Sequence, residues 1–138
     1  MLIDPNNPAH SHVVRRLKEE RIIWLTTVRR DGQPQTSPLW FTWDGETLLT
    51  YSQPNVQKIR NIENQPRVSL HLDGGGDGET VIIEGRARVD ESAPPLDLNE
   101  AYMGKYGEIM PGLGYTAEVV AEEYSVPVRF TPERLRAW

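Results

Sequence analysis

Residues 22–52 read IIWLTTVRRDGQPQTSPLWFTWDGETLLTYS, and the punctuation of this stretch decides the fold. Ile22 to Val28 is β-branched and apolar, the composition of a buried strand. Arg30-Asp31-Gly32-Gln33 supplies hairpin chemistry, because glycine accepts the positive φ of a tight turn without steric cost. Gln35 to Trp43 is then the return strand, Asp44-Gly45 a second hairpin signal, and Glu46 to Ser52 a third strand. Successive parallel strands need a crossover of a dozen or so residues, and none is available here. The stretch is an antiparallel meander, which excludes a doubly wound parallel sheet.

Upstream, Asn7-Pro8 reads as a helix cap followed by proline at the first helical position, where its missing N–H costs nothing. The helix runs to about Glu20 with Val13, Val14 and Leu17 inward. Downstream the period changes: Val56, Ile59 and Ile62 recur every three residues within 53–64, a short helix laid on the sheet. Period two returns over Arg67 to Asp73, with Val68, Leu70 and Leu72 on one side. Gly74 to Gly78 is a turn and Thr80 to Val89 a long strand. Ser92-Ala93-Pro94-Pro95 breaks the chain before a helical segment from about Leu96 to Tyr106. Residues 107–114 carry no clear pattern. Ala117 to Glu123 is a short helix and Ser125 to Phe130 a last strand. Six closely spaced strands with flanking helices predict an antiparallel barrel, mainly β within an α+β chain.

The 138 residues suit one domain over 1–138, with 38% hydrophobic and 25% charged residues. The absence of cysteine removes disulfides, thiolate metal sites and Cys nucleophiles. The N-terminus MLIDPNNPAH lacks the basic start and apolar run of a signal peptide, and no apolar run approaches a membrane span, so a cytoplasmic protein is expected. A net charge of −5 argues against a nucleic-acid binder that gains affinity from phosphate neutralisation. Cations nevertheless cluster at Arg29–Arg30, Lys58–Arg60, Arg86–Arg88 and Arg129–Arg136, enough for a small anionic ligand.

Two features carry chemistry. Pro38 interrupts the second strand and cannot donate to a ladder, so the strand is an edge, a bulge, or a surface where something else pairs. In the last case Ser37, Leu39 and Trp40 would face a planar ligand. Next, Tyr51-Ser52 closes a strand six residues before Lys58 at the start of a helix. A helix N-terminus offers free N–H groups and partial positive charge, to which Lys58 adds a full one; otherwise Lys58 and Arg60 are solvated helix charges. The loop Asp73 to Glu79 lacks both the P-loop and the EF-hand pattern and reads as a hairpin turn. His10, His12 and His71 form no metal pattern. Tyr102, Met103, Tyr106 and Met110 either cover a barrel end or line a substrate pocket.

The run TTVRRDGQPQTSPLWFTWDGETLLTYSQPNVQKIRNIENQPRVSLHLDGGGDGETVIIEGRARV, from Thr26 to Val89, resembles the pyridoxamine 5′-phosphate oxidase-like split barrels, in particular the branch of coenzyme F420 (deazaflavin)-dependent enzymes. Three elements in order carry the likeness: DGxP with SPLWF, YS followed by K-x-x-N, and PRVSL before a strand ending in EGxA. The C-terminal FTPERLRAW is also familial. The resemblance implies a six-stranded split β-barrel that forms a homodimer with cofactor sites at the subunit interface. By it, Lys58 holds the cofactor phosphate with Asn61 nearby. Ser37, Pro38, Leu39 and Trp40 pass along the ring, and Tyr51 and Ser52 contact the linker. Where some relatives carry an arginine two residues before that lysine, this chain has Val56, with Arg60 as the nearest replacement. The activity implied is hydride transfer from reduced F420 to an unsaturated small molecule, the proton coming from solvent or Tyr106. FMN-dependent oxidase or flavin reductase chemistry on the same fold, and a non-catalytic flavin- or haem-binding dimer, are the alternatives.

Overall fold

A computed structural model describes residues 1–74 and 79–138; most of the expected glycine turn, residues 75–78, lies outside the described residues. A 3-10 turn over Pro8–His10 leads into α1 (Ser11–Glu19), and the Asn7 side chain accepts from the Ala9 amide at 3.0 Å. The strands are β1 (Ile23–Val28), β2 (Pro34–Leu39), β3 (Thr42–Trp43), β4 (Leu48–Ser52), β5 (Arg67–His71), β6 (Val81–Val89) and β7 (Val126–Ala137). Between β4 and β5 lies α2 (Gln57–Asn64), and between β6 and β7 an excursion holding α3 (Glu100–Tyr106) and α4 (Ala117–Glu123). No helix among the described residues is long and apolar enough to cross a membrane.

All pairings are antiparallel, in the order β2-β1-β5-β6-β7-β4-β3. The edge strands β2 and β3 are joined by Trp40 and Phe41 alone. Laid flat, seven strands would hold those edges about 29 Å apart. The link from Leu39 to Thr42 spans at most about 11 Å. The sheet must therefore curl until its edges meet, which makes it a barrel split at the β2/β3 seam.

Inside it Ile23, Leu25, Leu48, Leu70, Ile83 and Phe130 are essentially inaccessible, closed at one side by Val13 and Leu17 of α1. A second cluster lies on the outer face of β4. There Leu49 and Tyr51 are covered by Leu96, Tyr102, Tyr106, Met110 and Val120 from the excursion. β4 is thus buried on both faces, and its exposure pattern loses alternation.

Two strands differ from the sequence reading, and the first of them raises the count from six to seven. The second strand divides into β2 and β3 because the ladder stops at Trp40 and Phe41. Its side-chain alternation (Leu39, Phe41, Trp43) continues through the break, which is why it reads as one strand. The last strand runs on to Ala137, past Phe130. A bulge puts one extra residue in β7: Glu84 pairs with Arg134, but Gly85 pairs with Pro132. One extra residue inverts the period-two phase. Inward positions change from Val128 and Phe130 to Leu135 and Ala137, so in the sequence the pattern stops at the point where its phase shifts.

Candidate functional site

The seam is the least regular backbone of the barrel, and side chains supply the hydrogen bonds that the ladder does not. The Phe41 amide donates to the Tyr106 hydroxyl at 2.8 Å, and the Lys105 ammonium donates to the Phe41 carbonyl at 2.9 Å. The Tyr106 hydroxyl also lies 2.7 Å from the Arg21 carbonyl and 3.0 Å from that of Phe41, and the Thr50 hydroxyl donates to the Trp40 carbonyl at 2.6 Å. Buried backbone polar groups need such partners. Pro38, paired with Trp24 on the edge strand β2, is the edge proline that its sequence position allows.

Beside the seam is a cleft of about 360 Å³, bounded by the end of β2, β4, the first turn of α2 and the helical excursion. That volume falls in the range of small-molecule sites, roughly 300–1,000 Å³. Pro38, Leu39, Trp40, Tyr51 and Lys58 all line it. Trp40 presents a plane: its ring stacks on Tyr106 with centroids 4.5 Å apart and planes 5° from parallel. Tyr51 offers its ring rather than its hydroxyl, which donates to the Pro94 carbonyl at 2.6 Å and accepts from Asn99 at 3.0 Å. Burial raises the Tyr51 pKa, so it is a neutral wall.

Among the described residues, Lys58 is the only cation lining the cleft. Burial lowers its pKa, and among the described residues no carboxylate forms an ion pair with it. A partly desolvated ammonium without a counter-ion is a place where an anion would be stabilised. The N-terminus of α2, where Val56 stands at the cap with no side-chain acceptor, adds uncapped N–H groups on the same turn. The sequence thus brings a strand end, a polar loop and a helix start to one place, with Asn55 taking a left-handed φ of 61° to make the corner.

The remaining candidates lie elsewhere. Ser37 shares the Leu39 side of β2, is half-buried and does not line the cleft. Ser52 is buried and its hydroxyl donates to the Gln53 carbonyl. Asn61 is buried in a network of its own: its amide nitrogen donates to Thr27 and Gln35 at 3.0 Å each, and its oxygen accepts from Gln57 at 2.7 Å. It braces α2 against β1 and β2. Arg60 is engaged by the Asn55 carbonyl and Gln57 and opens onto a separate shallow hollow with Arg29 and Arg30, so it does not replace the cation missing at Val56. Tyr106, the candidate for proton delivery, stacks against Trp40. It is fully buried, absent from the cleft wall, bound to backbone, and its pKa is raised by burial.

The far wall comes from residues that the sequence left without a role: Leu113, Tyr115, Glu123 and Tyr124. Their signal was faint, an exposed aromatic or acid in the excursion with no period to place it. Glu123 is the one carboxylate lining the cleft among the described residues. Among the described residues no group of three or more His, Cys, Asp or Glu could hold a metal.

The family model described as pyridoxamine 5′-phosphate oxidase matches residues 9–138. Among solved structures, an F420 reductase is 26% identical, with a TM-score of 0.67 over 88% of this chain and 94% of that one. A conserved protein of Mycobacterium tuberculosis is also 26% identical, with a TM-score of 0.71 over 96% of this chain and 85% of that one. The heme storage protein of Vibrio cholerae, 18% identical with a TM-score of 0.63 over 99% and 95%, shares the fold.

Proposed function

Since this chain belongs to the pyridoxamine 5′-phosphate oxidase family, we propose that its cleft holds a flavin-type cofactor and that it is an F420-dependent oxidoreductase acting on an unsaturated small molecule. The observation that carries the cofactor reading is the placement of Lys58, an unpaired, partly desolvated ammonium, on the same wall as the planar surfaces of Pro38, Trp40 and Tyr51. The choice of F420 rests on the likeness to the F420 reductase and on the motif resemblance.

A reduced deazaflavin bound there supplies the hydride, and the chain binds, orients and shields it. Lys58 and the α2 N-terminus hold the phosphate. Pro38, Leu39, Trp40 and Tyr51 fix the ring, and the excursion wall leaves the substrate its space. With the Tyr106 hydroxyl tied to backbone, the proton comes from solvent. Homodimerisation, which would place the cofactor between subunits, belongs to the same proposal. The oxidase activity in the family's name is not part of it: among the described residues neither Arg nor His lines the cleft to grip a second phosphate.

FMN is the second reading, favoured by Lys58 as the single cation on the wall among the described residues, which suits one terminal phosphate. Titrating the apo-protein with F420 and with FMN separates the two. Saturable F420 binding, with turnover of an electron-poor alkene, is expected. Tight FMN binding with none of F420 would remove the first reading. Binding of either without turnover would favour a carrier. Lys58→Ala is expected to weaken binding by about 1–3 kcal/mol, as loss of a charged hydrogen bond does; unchanged affinity would place the phosphate elsewhere. Light scattering on the purified protein should give twice the mass of the chain.

A further inference from the structure

Lys105 and Tyr106 sit one after the other at the end of α3, outside the cleft, yet both are spent on one short piece of backbone. The Lys105 ammonium lies 3.7 Å from the centroid of the Phe41 ring and donates to the carbonyl of that same residue. The Tyr106 hydroxyl accepts from the Phe41 amide, and its ring covers one face of Trp40. Phe41 itself is fully buried. One face of the Trp40 indole is therefore taken, and only its other face or its edge is left to the cleft. No ladder hydrogen bond holds the seam at this point, so its conformation depends on these side chains and on Thr50.

We propose that Tyr106 and Lys105 are positioning residues, which lock the Trp40–Phe41 crossing from behind so that Trp40 stands as a preformed stacking wall before any ligand arrives. The part that concerns a planar ligand rests on the cofactor reading above; the preformed wall does not. Fixing a side chain in advance removes an ordering cost from binding, worth about twofold to tenfold in affinity for each immobilised residue. The surroundings of the lock give it a pH signature. Lys105 faces Glu20, beyond α1, and shares its site with Tyr106, near which lies Arg21. Burial pulls the Lys105 pKa down to about 8, with Glu20 opposing the shift. Glu20 is itself engaged by Arg16.

The test uses the full apo chain labelled with 5-fluorotryptophan and read by fluorine NMR, with the Trp40 line assigned by Trp40→Phe. Lys105→Met and Tyr106→Leu are expected to shift or broaden the Trp40 line while Trp24 and Trp138 stay in place, reporting an intact fold. In the wild type the Trp40 line should move with a midpoint near pH 8. Lys105→Arg, which keeps its charge, should restore the neutral-pH position and abolish that step. A Trp40 line unmoved in Lys105→Met, or the same pH step surviving in Lys105→Arg, overturns the proposal, and either result stands even if Tyr106→Leu fails to fold. FMN and F420 titrations of Lys105→Met then read the consequence for binding, an expected loss of about twofold to tenfold for whichever binds the wild type. Normal apo spectra with no binding of either would instead count against the cofactor reading.

Discussion

Arg16 has the position of a core residue and the chemistry of a surface one. It lies on the face of α1 that carries Val13 and Leu17, and only 7% of it is exposed. Its guanidinium reaches the carbonyls of Asp73 and Glu79, on the two sides of the β5–β6 connection, and the carboxylate of Glu20. The fork shape of the group makes this possible, since the three donors of an ammonium radiate from one atom and cannot reach acceptors spread as widely as those facing the three guanidinium nitrogens. Arg16→Met should lower stability by about 1.5–3 kcal/mol, the worth of hydrogen bonds from a charged donor, and Arg16→Lys should recover only part of that. Urea unfolding of the three proteins checks it; equal midpoints would mean the arginine is dispensable. Nothing in the sequence marks this role, because an arginine on an apolar face reads as a break in the pattern. Lys58 was legible because its position follows from local order, a strand end and then a helix start. The backbone role of Tyr106 is not legible in the sequence, because its partners, Arg21 and Phe41, are 85 and 65 residues away.

The β6–β7 pair is the longest in the sheet, and its bulge is set by two residues that suit no regular strand. Pro132 has no N–H to give the ladder, and it sits opposite Gly85. A Cβ built on Gly85 would lie 2.1 Å from the Thr131 carbonyl oxygen and 3.0 Å from the Pro132 Cα. Those are backbone atoms, which cannot swing aside. Gly85→Ala should therefore cost at least the roughly 1–3 kcal/mol typical of overpacking, whereas Gly104→Ala, with open space around it, should be nearly neutral or stabilising within a helix. Thermal unfolding of both variants distinguishes this from a general intolerance of substitution. At this scale, what the sequence shows depends on phase. The meander, α1, α2 and α4 follow from periodicity and turns within a dozen residues. The true length of β7 does not, because its one extra residue is interpretable only when the partner strand is known. The seam escapes for the opposite reason: its phase continues while its hydrogen bonding stops.

Across the whole molecule the titratable groups divide into two opposing sets, and together they fix how stability varies with pH. On the acid side Asp90 is buried, accepts from Ser92 and Arg129, and is held well below the usual carboxylate range by those two bonds. Arg129 in turn reaches Thr47 and Asp44, so this network joins β7, the β3–β4 hairpin and the start of the excursion. For a depressed carboxylate, the folded state resists protonation that the unfolded chain accepts. The stabilisation is complete above the unfolded value of 3.8 and is lost as pH falls further. Asp90→Asn should flatten that acid limb. On the alkaline side the slope at first keeps the same sign. Lys105, with a folded pKa of about 8 against 10.5 when unfolded, gives up its proton first in the fold, and Lys58 is shifted the same way. Through that window the unfolded chain binds more protons, so stability rises with pH. Tyr51, Tyr102 and Tyr106, all raised above 10.0 by burial, act against this once the unfolded tyrosines begin to ionise. The two effects together predict a stability maximum between pH 8 and 10 rather than at neutrality. Melting temperatures measured from pH 6 to 11 should rise and then fall. Lys105→Met should remove much of the rise and leave the fall intact. A wild-type curve that declines steadily from pH 7 would mean that Lys105 keeps its proton well past pH 8, and that the ammonium behind the seam is less desolvated than its place against Phe41 implies.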